Sequence, residues 1–191
     1  MVRKLPVHGN LTMPPFVGIF NLPPLLTCTP SPWCREHCYA LKGRFSWKPV
    51  KNAHFWRYEQ SLMDSFVQRM RYEIYRSTII KYVRIHITGD FYSRGYVKKW
   101  AEIARVFPDI IFRTNTKRTS FLKYMKKMFP KNVVVRESTD STRKCMGIFP
   151  QASIKGTKGS ESFFVCRDNC EECGFYCWHN PKENVVPSRV R

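Results

Sequence analysis

The chain has 191 residues, 43% of them hydrophobic and 15% aromatic, with 33 Lys and Arg against 14 Asp and Glu for a formal net charge of +19. That length suits one domain with a core of useful size, and the charge predicts a polyanionic partner, nucleic acid above all, or an anionic ligand. No apolar run is long enough for a membrane span, and Pro14, Pro15, Pro23 and Pro24 interrupt the apolar start where a signal peptide would lie, so a cytoplasmic protein is expected.

Phe16 to Phe20 predicts a short strand. From about Ala53 to Ser77, Leu62, Phe66, Met70 and Ile74 recur every four residues, the apolar stripe of one long helix. Val83 to Thr88 alternates and predicts a strand. Gly95 to Val106 predicts a helix, with Val97, Trp100, Ala101 and Ala104 inward and Pro108 just past its end. Ile110 to Thr114 predicts a strand, Thr119 to Phe129 a helix stopped by Pro130, Asn132 to Arg136 a strand, and Phe163 to Val165 a last short one. Gln151 to Ser162, rich in Gly, Ser and Lys, reads as a loop.

An internal echo joins these pieces. Phe107 to Thr116 and Phe129 to Thr139 share one plan: helix end, proline, tight turn, strand, polar strand end. Repeated units of this kind predict parallel strands with right-handed crossovers. About five strands are too few for a closed eight-stranded barrel. The expected architecture is a single α/β domain over residues 1–191, either a partial (β/α) barrel or an open, mostly parallel sheet. Within it, residues 163–180 form a cysteine-rich metal-binding segment.

Parallel strands carry their chemistry at their carboxyl ends. In Val83–Thr88, alternation puts Ile85 and Ile87 on one face and Arg84, His86 and Thr88 on the other. Buried parallel strands are usually apolar on both faces, so a polar face predicts a wet or ligand-filled cleft. Arg84, His86, Asp90, Asn115 and Lys117 are the candidate catalytic residues. Arg113 and Arg136, at matching places in the two repeats, and Ser138 at a strand end are the candidate cofactor-binding residues, the arginines suited to an anionic group.

The eight cysteines point to metal rather than disulfides, which a reducing cytosol disfavours. Cys166, Cys170, Cys173 and Cys177 gather four thiols into twelve residues. Zinc sites usually join two separated ligand pairs, whereas one compact run suits the loop around an iron–sulfur cubane; zinc is the alternative metal. Cys28, Cys34 and Cys38 offer three further thiols, enough to hold a [4Fe-4S] cluster with one iron open. Either there are two clusters, or one C-terminal cysteine completes the N-terminal set and a single cluster staples the chain ends. Cys145, alone, reads as a small core residue. His37, His54 and His179 lie near the clusters as surface or supporting residues.

Three motifs in order, Cys34-Arg-Glu-His-Cys38-Tyr-Ala-Leu-Lys-Gly43, Arg84-Ile-His-Ile-Thr-Gly-Asp-Phe-Tyr-Ser93 with Tyr96 and Trp100, and the run ending Cys177-Trp178, resemble the phage-associated gene product 88 family across about residues 25 to 180. The Cys38-Tyr39-Ala40 signature is distantly similar to radical S-adenosylmethionine proteins. That second resemblance implies a three-cysteine [4Fe-4S] cluster at the mouth of a partial barrel, with S-adenosylmethionine as a further cofactor. The cysteine spacing here is wider than theirs, and Thr88-Gly89-Asp90 stands where they carry a Gly-Gly-Glu stretch.

Two functions are expected from these features. The first is a viral or mobile-element iron–sulfur enzyme acting on nucleic acid or a nucleotide. The second is a nucleic-acid-binding protein whose iron–sulfur or zinc site only braces the fold. From Arg113 to Lys144 ten Lys and Arg face only Glu137 and Asp140, and Lys123, Lys126 and Lys127 share a helix face suited to phosphate contacts.

Overall fold

A computed structural model of the chain describes residues 5–8, 13–153, 157, 160–167 and 169–186. Its centre is one eight-stranded sheet in the order β1-β2-β3-β4-β5-β6-β8-β7. The strands are β1 (Val7–His8), β2 (Val17–Phe20), β3 (Tyr82–Ile85), β4 (Ile111–Thr116), β5 (Val133–Thr139), β6 (Gln151–Ser153), β7 (Phe164–Val165) and β8 (Val185–Val186). β1 pairs antiparallel with β2, and the pairings from β2 onward are parallel. This is the mostly parallel α/β architecture that the repeats predict. β2 to β6 follow one another in chain order, as barrel strands do, and the row ends in two edges.

The crossovers are helical. α1 (Pro32–Glu36), α2 (Lys48–Leu62) and α3 (Phe66–Arg76) lie between β2 and β3. α4 (Arg94–Val106) leads to β4, and α5 (Leu122–Met128) to β5. α4 begins at Ser93, whose hydroxyl accepts from the Tyr96 amide at 3.1 Å, satisfying one of the amides a helix start leaves unpaired.

The long helix expected over 53–77 is two helices. α2 ends where Met63 turns extended, at φ −68° and ψ 148°. The Lys99 ammonium of α4 caps it, donating to the carbonyls of Ser61, Leu62 and Met63 at 3.0, 3.2 and 2.8 Å. Leu62 is consequently 53% exposed, while Phe66, Met70 and Ile74 keep the predicted stripe and are buried. The expected loop over 151–162 also differs, because Gln151–Ser153 pairs with the end of β5. Residues 154–156, 158 and 159 of that stretch lie outside the described residues.

Each face of the sheet buries its own core. Phe20, Val83, Ile85 and Phe112 pack with Phe66, Met70, Tyr96, Trp100 and Met125 from the helices. On the other face Val17, Ile19 and Ala152 pack with Cys170, Phe175, Cys177 and Trp178 of the C-terminal segment, which includes α6 (Tyr176–His179). Tyr82 stacks on Phe175 at 4.3 Å between ring centroids. No helix among the described residues is long and apolar enough to cross a membrane.

Candidate metal centre

The loop bearing Cys28, Cys34 and Cys38 lies at the carboxyl edge of the sheet, and residues from the ends of β3, β4 and β5 fix it there. Asp90, just past β3, accepts from the Lys117 amide and the Thr116 hydroxyl, both at 2.7 Å, so it ties two strand ends together. Burial raises the Asp90 carboxyl above its ordinary range, and these donors oppose the rise. The Asp90 amide donates to the Thr27 hydroxyl at 3.2 Å. Arg118 donates to the Thr27 carbonyl at 3.1 Å, and Arg143 to the Thr29 carbonyl at 2.8 Å.

Asp140, at the end of β5, holds α1. Its carboxylate accepts from the Ser31 hydroxyl at 2.5 Å, and the same hydroxyl accepts from the Cys34 amide at 3.1 Å, capping the helix. Burial alone would raise the Asp140 carboxyl, but the Ser31 and Thr142 hydrogen bonds and the Lys117 ammonium hold it below the usual range. Lys117 Nζ donates to Ser138 Oγ at 2.8 Å and stands 3.4 Å from Asp140.

Burial pushes the Cys28 thiol up to about 12, with Asp90, Cys34 and Cys38 adding to the rise. Burial also raises Cys34, which Lys117 and Arg143 partly offset. Tyr39 follows the third cysteine, and its phenol donates to the Ile87 carbonyl.

A second set lies on the sheet face opposite the helices. Burial pushes the Cys170 thiol up to about 11, with Cys177, Cys173 and Cys166 raising it further. Facing this set, Arg84 and Arg113 stand directly opposite one another in the β3–β4 register. Arg113 donates to Cys177 Sγ at 2.6 Å and lies 5.7 Å from the centre of the Trp178 ring. Arg136 is 0% exposed and donates to the carbonyls of Cys177, Asn180 and Glu183 at 2.8, 2.8 and 3.1 Å. It clasps the segment to the sheet rather than presenting a free guanidinium to a cofactor.

The candidate residues therefore divide into three places. Asp90, Lys117 and Ser138 join Cys28, Cys34 and Cys38 at the carboxyl edge. Arg84, Arg113, Asn115 and Arg136 face the C-terminal cysteines. Turned to satisfy both ends of its amide, Asn115 accepts from Arg84 Nη2 at 3.2 Å. His86 belongs to neither group. Regular strand stops at Ile85, and His86 takes a left-handed conformation, φ 62°, that breaks the alternation.

The His86 ring consequently enters the helix-side core, where Nε2 meets the Tyr96 hydroxyl at 2.9 Å. Arg84 and His86 do not share a polar face, as strict alternation would require. Burial, followed by the charge of Arg84, pushes the His86 imidazole down to about 3, so it is neutral at neutral pH.

Sequence patterning alone missed Asp140, Ser31, Arg118 and Arg143, which anchor the cysteine loop. Ser31-Pro32 was the available signal, a capping residue followed by proline at the first helical position. It also missed Glu137, whose carboxylate accepts from the amides of Met146, Ile148 and Phe149 at 2.5, 2.7 and 2.8 Å. The Cys145 thiol lies 3.2 Å from the same carboxylate.

Among the described residues, no three of His, Cys, Asp and Glu are already placed as ligands of one metal ion. The fit to a metal rests instead on donor chemistry. All eight cysteines are free, and seven of them fall in two sets close in sequence. The arginines facing the second set have buried nitrogens without a partner, namely Arg84 Nε and Nη1 and Arg113 Nε.

No curated protein and no solved structure matches the chain. The family model described as Gene product 88 matches residues 3–184, and the chain belongs to that family.

Proposed function

We propose that the protein is a viral iron–sulfur enzyme of the host cytoplasm, acting on nucleic acid or a nucleotide. In this proposal Cys28, Cys34 and Cys38 hold a [4Fe-4S] cluster, and the C-terminal cysteines hold a second metal centre. The carrying observation is that residues from the ends of β3, β4 and β5 fix the three-cysteine loop at the carboxyl edge of a parallel sheet, where α/β proteins place their sites. A cluster held by three thiolates supplies one-electron chemistry and one open coordination position.

The chain's own groups suit that use. Four anchors, Asp90, Asp140, Arg118 and Arg143, hold the loop in place, which is the preorganisation a reactive centre needs. In this reading Lys117, 15% exposed in its side chain and beside Cys34, would receive the carboxylate of S-adenosylmethionine or a phosphate. Asp140 offsets its charge until that anion arrives.

Anaerobically purified protein should be brown and carry iron and sulfide in similar amounts. Adding S-adenosylmethionine to the reduced protein should change its electron paramagnetic resonance signal. An unchanged signal, together with full iron retention in Cys34→Ser, would contradict an open three-thiolate cluster.

One further observation favours the second reading, a nucleic-acid-binding protein with a bracing metal site. Lys123, Lys126 and Lys127 are all exposed on α5, free for phosphates. Affinity for nucleic acid should then fall steeply with salt, and Lys126→Glu with Lys127→Glu should flatten that slope by about two. An unchanged slope would reject this surface.

A further inference from the structure

Arg84 and Arg113 are each 8% exposed. They are directly paired across β3 and β4, so two like charges sit side by side away from water. Among the described residues neither forms an ion pair with a carboxylate. Arg84 Nε and Nη1 and Arg113 Nε are buried without a hydrogen-bond partner. A buried uncompensated charge costs several kcal/mol, so this arrangement calls for a counter-anion. The groups beside the pair that can carry negative charge are Tyr39, Cys177, which accepts from Arg113 at 2.6 Å, and Cys170. Tyr39 has its hydroxyl committed to the Ile87 carbonyl.

We infer that Arg84 and Arg113 are the counter-charge of a complete four-thiolate metal centre held by Cys166, Cys170, Cys173 and Cys177. The inference rests on the metal-binding part of the proposed function, and it is independent of which metal is bound. Four thiolates around zinc, or around an oxidised four-iron cluster, carry a net charge of about −2, opposite in sign to the buried guanidinium groups of Arg84 and Arg113 and of Arg136 beside them. The unpartnered N–H groups then point at sulfur, as the Arg113 bond to Cys177 already does.

Two consequences follow. None of these four cysteines is left to complete the N-terminal set, so the chain carries two centres rather than one staple. Arg84 and Arg113 are positioning residues of the second centre and do not bind substrate.

The test compares four full-length proteins as isolated: wild type, Arg84→Met with Arg113→Met, Arg84→Lys with Arg113→Lys, and Cys170→Ser. Metal per chain is measured before and after challenge with a chelator. The methionine pair should lose the same share of metal as Cys170→Ser, at least tenfold faster than wild type, and the lysine pair should retain it. If the methionine pair fails to fold, Arg113→Met alone should show the same loss to a smaller degree. A folded methionine pair, or in its place a folded Arg113→Met, that keeps metal as wild type does would overturn the inference. So would a wild type that holds metal only at the N-terminal cysteines. Arginine-dependent retention of zinc alone would support the inference while refuting the iron–sulfur function, so the two failures are distinct.

Discussion

Gly89→Ala should destabilise the protein far more than the same change at Gly147. Gly89 has a φ of 82°, in the left-handed region that costs other residues roughly 1–2 kcal/mol. An added Cβ would also lie 2.6 Å from Leu22 Cβ, 2.8 Å from Thr27 Oγ1 and 2.9 Å from the Leu22 carbonyl. The last contact is with backbone, which a side-chain rotation cannot relieve. The Leu22 amide and Thr88 carbonyl bond at 3.0 Å across this approach, and Thr27 is held by Asp90. A loss of about 4 kcal/mol or more is expected, a large part of the stability of an ordinary domain. Gly147→Ala is the control: its φ is 72° but nothing lies within 4 Å of the new Cβ, so it should cost only about 1–2 kcal/mol. Urea unfolding of the two variants measures the difference. Equal midpoints would contradict the close approach of the cysteine loop to the end of β3.

Arg136→Met should release the C-terminal segment. Arg136 is fully buried, and its three bonds to the carbonyls of Cys177, Asn180 and Glu183 are the polar tie between β5 and that segment. Removing the guanidinium orphans three acceptors, each worth about 1–3 kcal/mol when buried. Burial already holds its guanidinium down to about 10, so relief of that charge offsets part of the loss. A net loss of about 3 kcal/mol is expected, localised to residues 163–186. Limited proteolysis should cut the variant within that segment while the helix-side core resists. Uniform resistance in both proteins would show that apolar contacts, those of Trp178 and Phe175 among them, hold the segment unaided.

Much of this fold is written in local signals. The two Phe-Pro repeats yield β4 and β5 because each carries its helix end, turn and strand within about a dozen residues. The Phe66, Met70 and Ile74 stripe yields α3 because its burial has helical period. What local pattern cannot supply is a change made by one residue or by a distant partner. His86 defeats the alternation rule because a single left-handed φ exchanges the two faces. The break after Leu62 depends on Lys99, from a helix more than thirty residues further along. β6 is short and pairs in parallel with the end of β5, so its Gly- and Lys-rich surroundings mask it.

The candidate site divides in the same way. The cysteine sets are legible from spacing alone. The gathering of Arg84, Arg113 and Arg136 is not, since register between strands decides it, and Asp140 finds its role only through Ser31, 109 positions away in sequence.

The proposed function and the counter-charge inference both call for two separate thiolate centres. Cys28, Cys34 and Cys38 lie on the loop fixed at the carboxyl edge, whereas Cys170 and Cys177 lie in the core on the sheet face opposite the helices. The most direct measurement is iron, zinc and acid-labile sulfide per chain in anaerobically purified protein, before and after Cys28, Cys34 and Cys38 are all replaced by serine. Two centres predict that the triple variant keeps the metal of the second, with roughly eight irons falling to roughly four where both are four-iron clusters. A wild type whose iron and zinc are both wholly lost in the triple variant would contradict two separate centres.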